Sequence, residues 1–283
     1  MDTAQPFAMP VGNDRLLSGL IHPGSGPGPR PTVVVCHGFK GFMEWGFFPA
    51  LAHLLGERGL TVVRFNFSGN GMQPGDELVT DPAAFANATF SQDLEDLLAL
   101  LAALGQEVAP GLVDRQRIGL FGHSRGGGTA ILAAADPDWV DRLAALVTWS
   151  AVSTFDRLDD AQKLVWRQQG SLPVVNARTG QELTLDPFVL DDLERRREEL
   201  EILAAANRRQ APWLLVHGDD DETVPVAEAR TLAEHAAGQG VLLEIPGASH
   251  TFGATHPFAG PSPHLIEALN STQRWFRQHL LDG

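Results

Sequence analysis

A mostly parallel β-sheet covered by helices on both faces is the fold class this chain predicts. Short apolar runs of strand length alternate with longer stretches of helical period. A glycine-flanked serine stands where one such run meets the next helix. The alternation breaks once, over residues 151–210, and then resumes.

Residues 15–21 read as an early strand, and GSGPGPRP at 24–31 as a loop. Residues 32–36 are a buried strand of consecutive β-branched residues ending at Cys36. A helix is expected over 47–58, stopping at Gly59. The next strand spans 61–67 and is followed by the turn SGNG. Asp81 and Pro82 open a long helix, with Asp as N-cap and Pro in its first turn. Leu94, Leu97, Leu98, Leu101 and Leu104 form its apolar stripe. A short strand at 118–121 runs into GHSRGGG, a helix follows over 125–135, and another strand spans 143–149.

Residues 151–210 carry no pattern of a core strand. They hold Trp166, a SLPVVNARTG loop and a charged helix over 191–206. They are expected to form a helical cap inserted into a core of residues 1–150 and 211–283. Strands at 213–216 and 241–245 and helices at 225–237 and 263–280 complete the pattern.

The chain has 283 residues, 43% hydrophobic and 20% charged, enough for a substantial core. A formal net charge of −14 argues against nucleic acid and anionic membrane as partners. No stretch approaches the roughly 18 apolar residues of a membrane helix, and the N-terminus lacks the basic-then-apolar pattern of a signal peptide. A cytoplasmic location is therefore the default expectation; the single cysteine, Cys36, excludes an internal disulfide, which fits a reducing compartment and equally a secreted enzyme without disulfides. Tyrosine is absent, which removes it as a general acid or oxyanion donor.

Gly122-His123-Ser124-Arg125-Gly126 fits G-x-S-x-G, with an apolar strand before it and a small-residue helix after it. A serine on such a turn is pushed out of the sheet edge, and the helix N-terminus behind it favours a developing oxyanion. A serine hydroxyl needs a base, and the base needs a carboxylate to orient it. Six of the ten histidines follow Ser124. His250 is best placed, in a loop just after the strand at 241–245, and His256 is its rival. The acid is expected in the run Asp219, Asp220, Asp221, Glu222, just beyond the strand at 213–216.

The segments HGFKGF (37–42), FNFSGNG (65–71), GHSRGG (122–127), HGDDDETVP (217–225) and GASHTF (247–252) together resemble the α/β-hydrolase superfamily, in its esterase, dienelactone hydrolase and serine-aminopeptidase-like branch. The resemblance implies the α/β-hydrolase fold with a cap over residues 151–210. It implies Ser124 as nucleophile, Asp221 as acid with Asp219 as runner-up, and His250 as base. It also implies backbone N–H donors to the oxyanion from Phe39, in His37-Gly38-Phe39, and from Arg125. His37 is expected to brace its loop, and His217 to be structural.

Dienelactone hydrolases proper carry cysteine where this chain has Ser124, and haloalkane dehalogenases and epoxide hydrolases carry aspartate. The expected activity is hydrolysis of a small-molecule carboxylic ester, with no metal or organic cofactor. Thioester or peptide hydrolysis by the same residues is the alternative, and a non-catalytic binding protein is the rival from another class. Phe39, Phe42, Trp45, Phe47, Phe48, Phe67, Trp149, Phe155 and Trp166 are candidate pocket aromatics, and Lys40 a candidate partner for a substrate carboxylate. Oligomeric state is not legible.

Overall fold

The structure is a computed structural model and describes residues 4–12 and 15–282. Met1–Thr3, Asn13, Asp14 and Gly283, which belong to the expected core segments, lie outside the described residues. The chain begins with strands β1 (Gln5–Val11), β2 (Arg15–His22) and β3 (Arg30–Cys36), then helix α1 (Phe48–Glu57) and β4 (Thr61–Asn66). Helices α2 (Pro82–Ala86) and α3 (Phe90–Ala103) precede β5 (Val113–His123), α4 (Arg125–Ala134) and β6 (Leu143–Trp149). An excursion follows: α5 (Asp160–Gln169), β7 (Leu172–Val175), β8 (Glu182–Leu185), α6 (Phe188–Arg195) and α7 (Ile202–Arg208). The chain then returns through β9 (Trp213–Gly218), α8 (Val226–Glu234), β10 (Gly240–Ile245) and α9 (Pro263–Phe276), which runs into a π-helical turn, Arg277–Leu281.

Eight strands form one sheet in the order β1-β2-β4-β3-β5-β6-β9-β10. From β4 to β10 every pairing is parallel, while β1 and β2 are antiparallel. Alternate residues of β3 serve opposite layers, as the pleat requires. Val34 and Cys36 join the layer built with α3, α4 and α7, and Val33 and Val35 join the one built with α1 and α9.

The parallel register also positions the site. Cys36 lies opposite Gly122, and His123 opposite Trp149. The loops leaving β3, β5, β6 and β9 therefore emerge side by side, at the carboxyl ends where open α/β sheets place their ligands.

Three local expectations change. The helix expected to open at Asp81 is two helices. Asp81 caps α2 by accepting from the amides of Ala83 and Ala84, and Thr89 caps α3 by accepting from Gln92 N–H at 3.1 Å. Carbonyls freed between them, those of Ala88 and Thr89, accept from the Arg125 guanidinium at 3.2 and 3.0 Å. That tertiary contact sits in the break and has no signature in local sequence.

The charged helix expected over 191–206 also breaks, after α6. The break turns Ile202, Ala205 and Ala206 of α7 into the layer that contains α4. β1 has no strand pattern in the sequence because Pro6 and Pro10 interrupt it, and prolines are tolerated only on an edge strand such as this one.

The excursion is not purely helical, since β7 and β8 form a separate antiparallel hairpin. Trp166, Leu183, Leu185, Val189 and Leu190 make a small apolar cluster there with Phe42, Met72 and Val79 of the core loops and Phe85 of α2. Ser91 Oγ on α3 donates to Asp192 on α6 at 2.8 Å, a second tie. Among the described residues no helix is long and apolar enough to cross a membrane.

Candidate active site

Ser124 is the single residue between β5 and α4, with φ +56° and ψ −122°. A positive φ strains a residue with a side chain, and it persists only where the surroundings over-determine it. Here the Ser124 amide donates to Trp149 O at 2.9 Å, extending the β5–β6 ladder. Its carbonyl accepts from Gly127 N–H at 2.9 Å and Gly128 N–H at 3.2 Å, the first turn of α4.

The two glycines of the motif are required by close approach. A Cβ on Gly122 would lie 2.4 Å from Gly126 O, and one on Gly126 would lie 2.3 Å from His37 O. A Cβ on Gly38 would meet Ser124 Cβ at 3.0 Å. The loop carrying Phe39 is thus seated directly against the serine turn.

Asp221 and His250 come from the loops after β9 and β10. His250 Nδ1 donates to Asp221 Oδ2 at 2.8 Å. Asp221 Oδ1 accepts from the amides of Thr223 and Val224, each at 2.9 Å, and His217 Nε2 lies 3.3 Å from Oδ2. Burial opposes ionisation of this carboxyl. The hydrogen bonds from His217, His250 and Val224 N–H outweigh it and hold Asp221 well below the usual carboxylate range. With its Nδ1 proton committed to Asp221, His250 keeps its lone pair on Nε2. Ser124 and His250 both line one cavity.

The runners-up are engaged elsewhere. Asp219 accepts from Gly247 N–H at 2.6 Å and so braces the loop that carries His250. His256 accepts from Gly46 N–H at 3.0 Å through Nδ1, and its Nε2 lies 2.7 Å from Glu77.

His37 braces its loop as expected. Its Nδ1 donates to Gly38 O at 2.9 Å and its Nε2 accepts from Phe67 N–H at 3.2 Å, while burial pushes its pKa down to about 4. His217 is likewise buried, with Nε2 2.8 Å from Val224 O.

The cavity has a volume of about 610 Å³ and lies between the sheet's loops and the excursion. Of the anticipated aromatics, Phe39, Trp45, Phe48, Phe155 and Trp166 line it. Phe42, Phe47, Phe67 and Trp149 are instead buried in the packing behind it. Phe90, which the sequence did not single out, lines it too and stacks on Phe155 at 4.5 Å. Leu185, Val189, Leu190 and Leu193 complete an apolar wall from the excursion.

Comparison with known proteins matches residues 45–283 to the prolyl oligopeptidase family. The chain belongs to the prolyl oligopeptidase family. It is a hydrolase of the α/β-hydrolase superfamily, as the sequence motifs implied. It is 26% identical to the monoacylglycerol lipase of Mycolicibacterium smegmatis over 95% of both chains. Among solved structures it resembles Est1E of Butyrivibrio proteoclasticus with ferulic acid bound, at a TM-score of 0.74 and 21% identity, over 96% of this chain and 98% of that one. It also resembles the dienelactone hydrolase of Anabaena variabilis, at a TM-score of 0.63 and 19% identity, over 98% of each chain.

Two polar residues that support the candidate site have little or no signal in the sequence. Asp93, on α3, receives Arg125 Nε at 2.7 Å, and both side chains are buried. Burial pushes the Asp93 carboxyl up while Arg125 pulls it down. The pair pins Arg125, and with it the first residue of α4. His123, the second residue of the motif, donates from Nε2 to the backbone carbonyl of His250 at 3.0 Å. Burial, helped by the neighbouring His250, pushes its pKa down to about 3, so it stands there neutral. The only sequence cue to His123 was its place inside G-x-S-x-G. Asp93 had none, because it lies 32 residues from its partner.

Proposed function

We propose that this chain is a carboxylic-ester hydrolase that works through an acyl-enzyme on Ser124. The observation that carries the proposal is the Asp221–His250 hydrogen bond at 2.8 Å, beside a serine held at φ +56° and open to the same cavity. His250 Nε2 takes the Ser124 proton as Oγ attacks the ester carbonyl. Ionised Asp221 stabilises the imidazolium that results. The amides of Phe39 and Arg125 receive the oxyanion, the Arg125 amide from the N-terminus of α4. His250 then protonates the departing alcohol, and water repeats the sequence to release the acid.

An ester suits the cavity better than a peptide with a free amino end. Its lining holds the cations Lys40, Arg125, Arg157 and Arg178 and one carboxylate, Asp156, which is itself paired with Lys163 at 2.6 Å. A substrate ammonium would meet the wrong sign of charge.

The test is hydrolysis of p-nitrophenyl esters from acetate upward, beside a thioester and an aminoacyl anilide. The ester is expected to react fastest, and Ser124→Ala to lose roughly 10⁴-fold or more in kcat. A fluorophosphonate is expected to label wild type and not Ser124→Ala. Full turnover by Ser124→Ala would overturn the mechanism, and faster anilide cleavage would move the activity to peptides.

A further inference from the structure

Whole-chain charge and cavity charge have opposite signs. The chain carries 21 Lys and Arg against 35 Asp and Glu. Around the cavity four of these cations face one carboxylate. Three of the four are answered by acids outside the lining: Arg125 by Asp93 at 2.7 Å, Arg157 by Glu228 at 2.7 Å, and Arg178 by Glu77 at 3.4 Å. Lys40 is different. Among the described residues it pairs with no carboxylate. Its Nζ donates to the carbonyl of Val175 on β7 at 3.3 Å and lies 5.8 Å from the Phe39 ring centre.

The backbone singles out the same residue. Lys40 has a φ of +59°, a conformation in which glycine is unstrained and a long side chain is uncommon. It directly follows Phe39, the proposed oxyanion donor. Lys40 is exposed, lines the same cavity as Ser124 and the apolar residues Leu185, Val189 and Leu190, and its ammonium is tied to the hairpin by Val175 O.

We infer that the cavity takes esters that also carry a carboxylate, with an apolar body against the excursion and the negative charge on Lys40 Nζ. The inference rests on the ester-hydrolase proposal and names the substrate class of that site. The Lys40 ammonium has two further N–H donors beyond the bond to Val175, and a carboxylate is the acceptor that answers its charge. Arg178 lies in the turn of the same hairpin as Val175, but its charge is answered by Glu77, so Lys40 carries the recognition.

The experiment compares two series of p-nitrophenyl esters of equal length, one with acyl chains ending in methyl and the other in carboxylate. The readout is the carboxylate-to-methyl ratio of kcat/KM. Lys40→Met is expected to lower that ratio about tenfold at the best chain length, the scale of one charge-assisted hydrogen bond. Lys40→Arg is expected to keep most of it, and added salt to lower it in wild type. Lys40→Gly, which the positive φ favours, gives the same answer if the methionine variant folds poorly.

A ratio that stays within about twofold of wild type in both Lys40→Met and Lys40→Gly, less than any single charge-assisted bond, overturns the inference and leaves ester hydrolysis standing. If neither series is hydrolysed, the ester-hydrolase proposal falls instead, and calorimetry decides the inference. Binding of an α,ω-dicarboxylate to Ser124→Ala that weakens about tenfold in Ser124→Ala/Lys40→Met supports it, and equal or absent binding overturns it.

Discussion

His37 and His123 are buried side chains held neutral by their surroundings, one beneath the Phe39 loop and the other beneath the His250 loop. In the unfolded chain each titrates near its ordinary value of about 6.5, whereas in the folded protein burial lowers them to about 4 and about 3. Below pH 6.5 the unfolded chain therefore binds more protons, and stability falls as pH drops. Above 6.5 both histidines are neutral in both states and the effect vanishes.

Each proton taken up on unfolding contributes a slope of about 1.4 kcal/mol per pH unit. Urea unfolding between pH 8 and 5 is expected to show this loss, and His123→Gln to flatten it. An unchanged slope in the variant would mean that His123 is already protonated in the folded state. Asp221, held well below the carboxylate range, stays ionised throughout this window and contributes nothing to it.

Between elements, the site depends on how closely β3, β5 and α4 approach. Gly126 is where α4 meets the carbonyl end of β3, and His37 O occupies the space a side chain would need. Gly126→Ala forces backbone against backbone, so it is expected to cost about 2 kcal/mol or more in urea unfolding. It should also lower kcat more than it raises KM, because the displaced parts are the Ser124 turn and the Phe39 loop. Wild-type stability in this variant would show that the loop yields without cost. The break between α2 and α3 belongs to the same scale, since its buried carbonyls receive Arg125 and help to fix the start of α4.

At the scale of the molecule, the excursion after β6 closes the cavity and shapes it. Trp166 is buried, donates from its indole N–H to Leu185 O at 3.0 Å, and lines the cavity from that side. Trp166→Ala removes a large side chain from the small cluster that holds the excursion down. A core Trp→Ala change costs roughly 3–5 kcal/mol. The chain-length profile of ester hydrolysis is expected to shift toward longer acyl groups, with the excursion gaining amide exchange. An unchanged profile would place the acyl group elsewhere in the cavity.

Much of this architecture was legible in the chain because its signals are local. A parallel strand buried on both faces needs a run such as the valines at 33–35, and a serine on a tight strand–helix turn needs glycines at 122 and 126. Loop position after a strand was enough to prefer His250 over His256, and the structure joins His250 to Asp221. Of the four adjacent acidic residues, the one the motif resemblance favoured, Asp221, is the one that meets His250, whereas the tertiary structure alone decided which aromatics face the cavity instead of the core. It also decided where the helices at 82–103 and 188–208 break, and that Asp93 and His123 brace the site. Those outcomes depend on contacts between residues tens of positions apart. Local propensity carries no term for a carbonyl that must receive an arginine from another helix, or for a cavity-lining lysine that pairs with no carboxylate among the described residues.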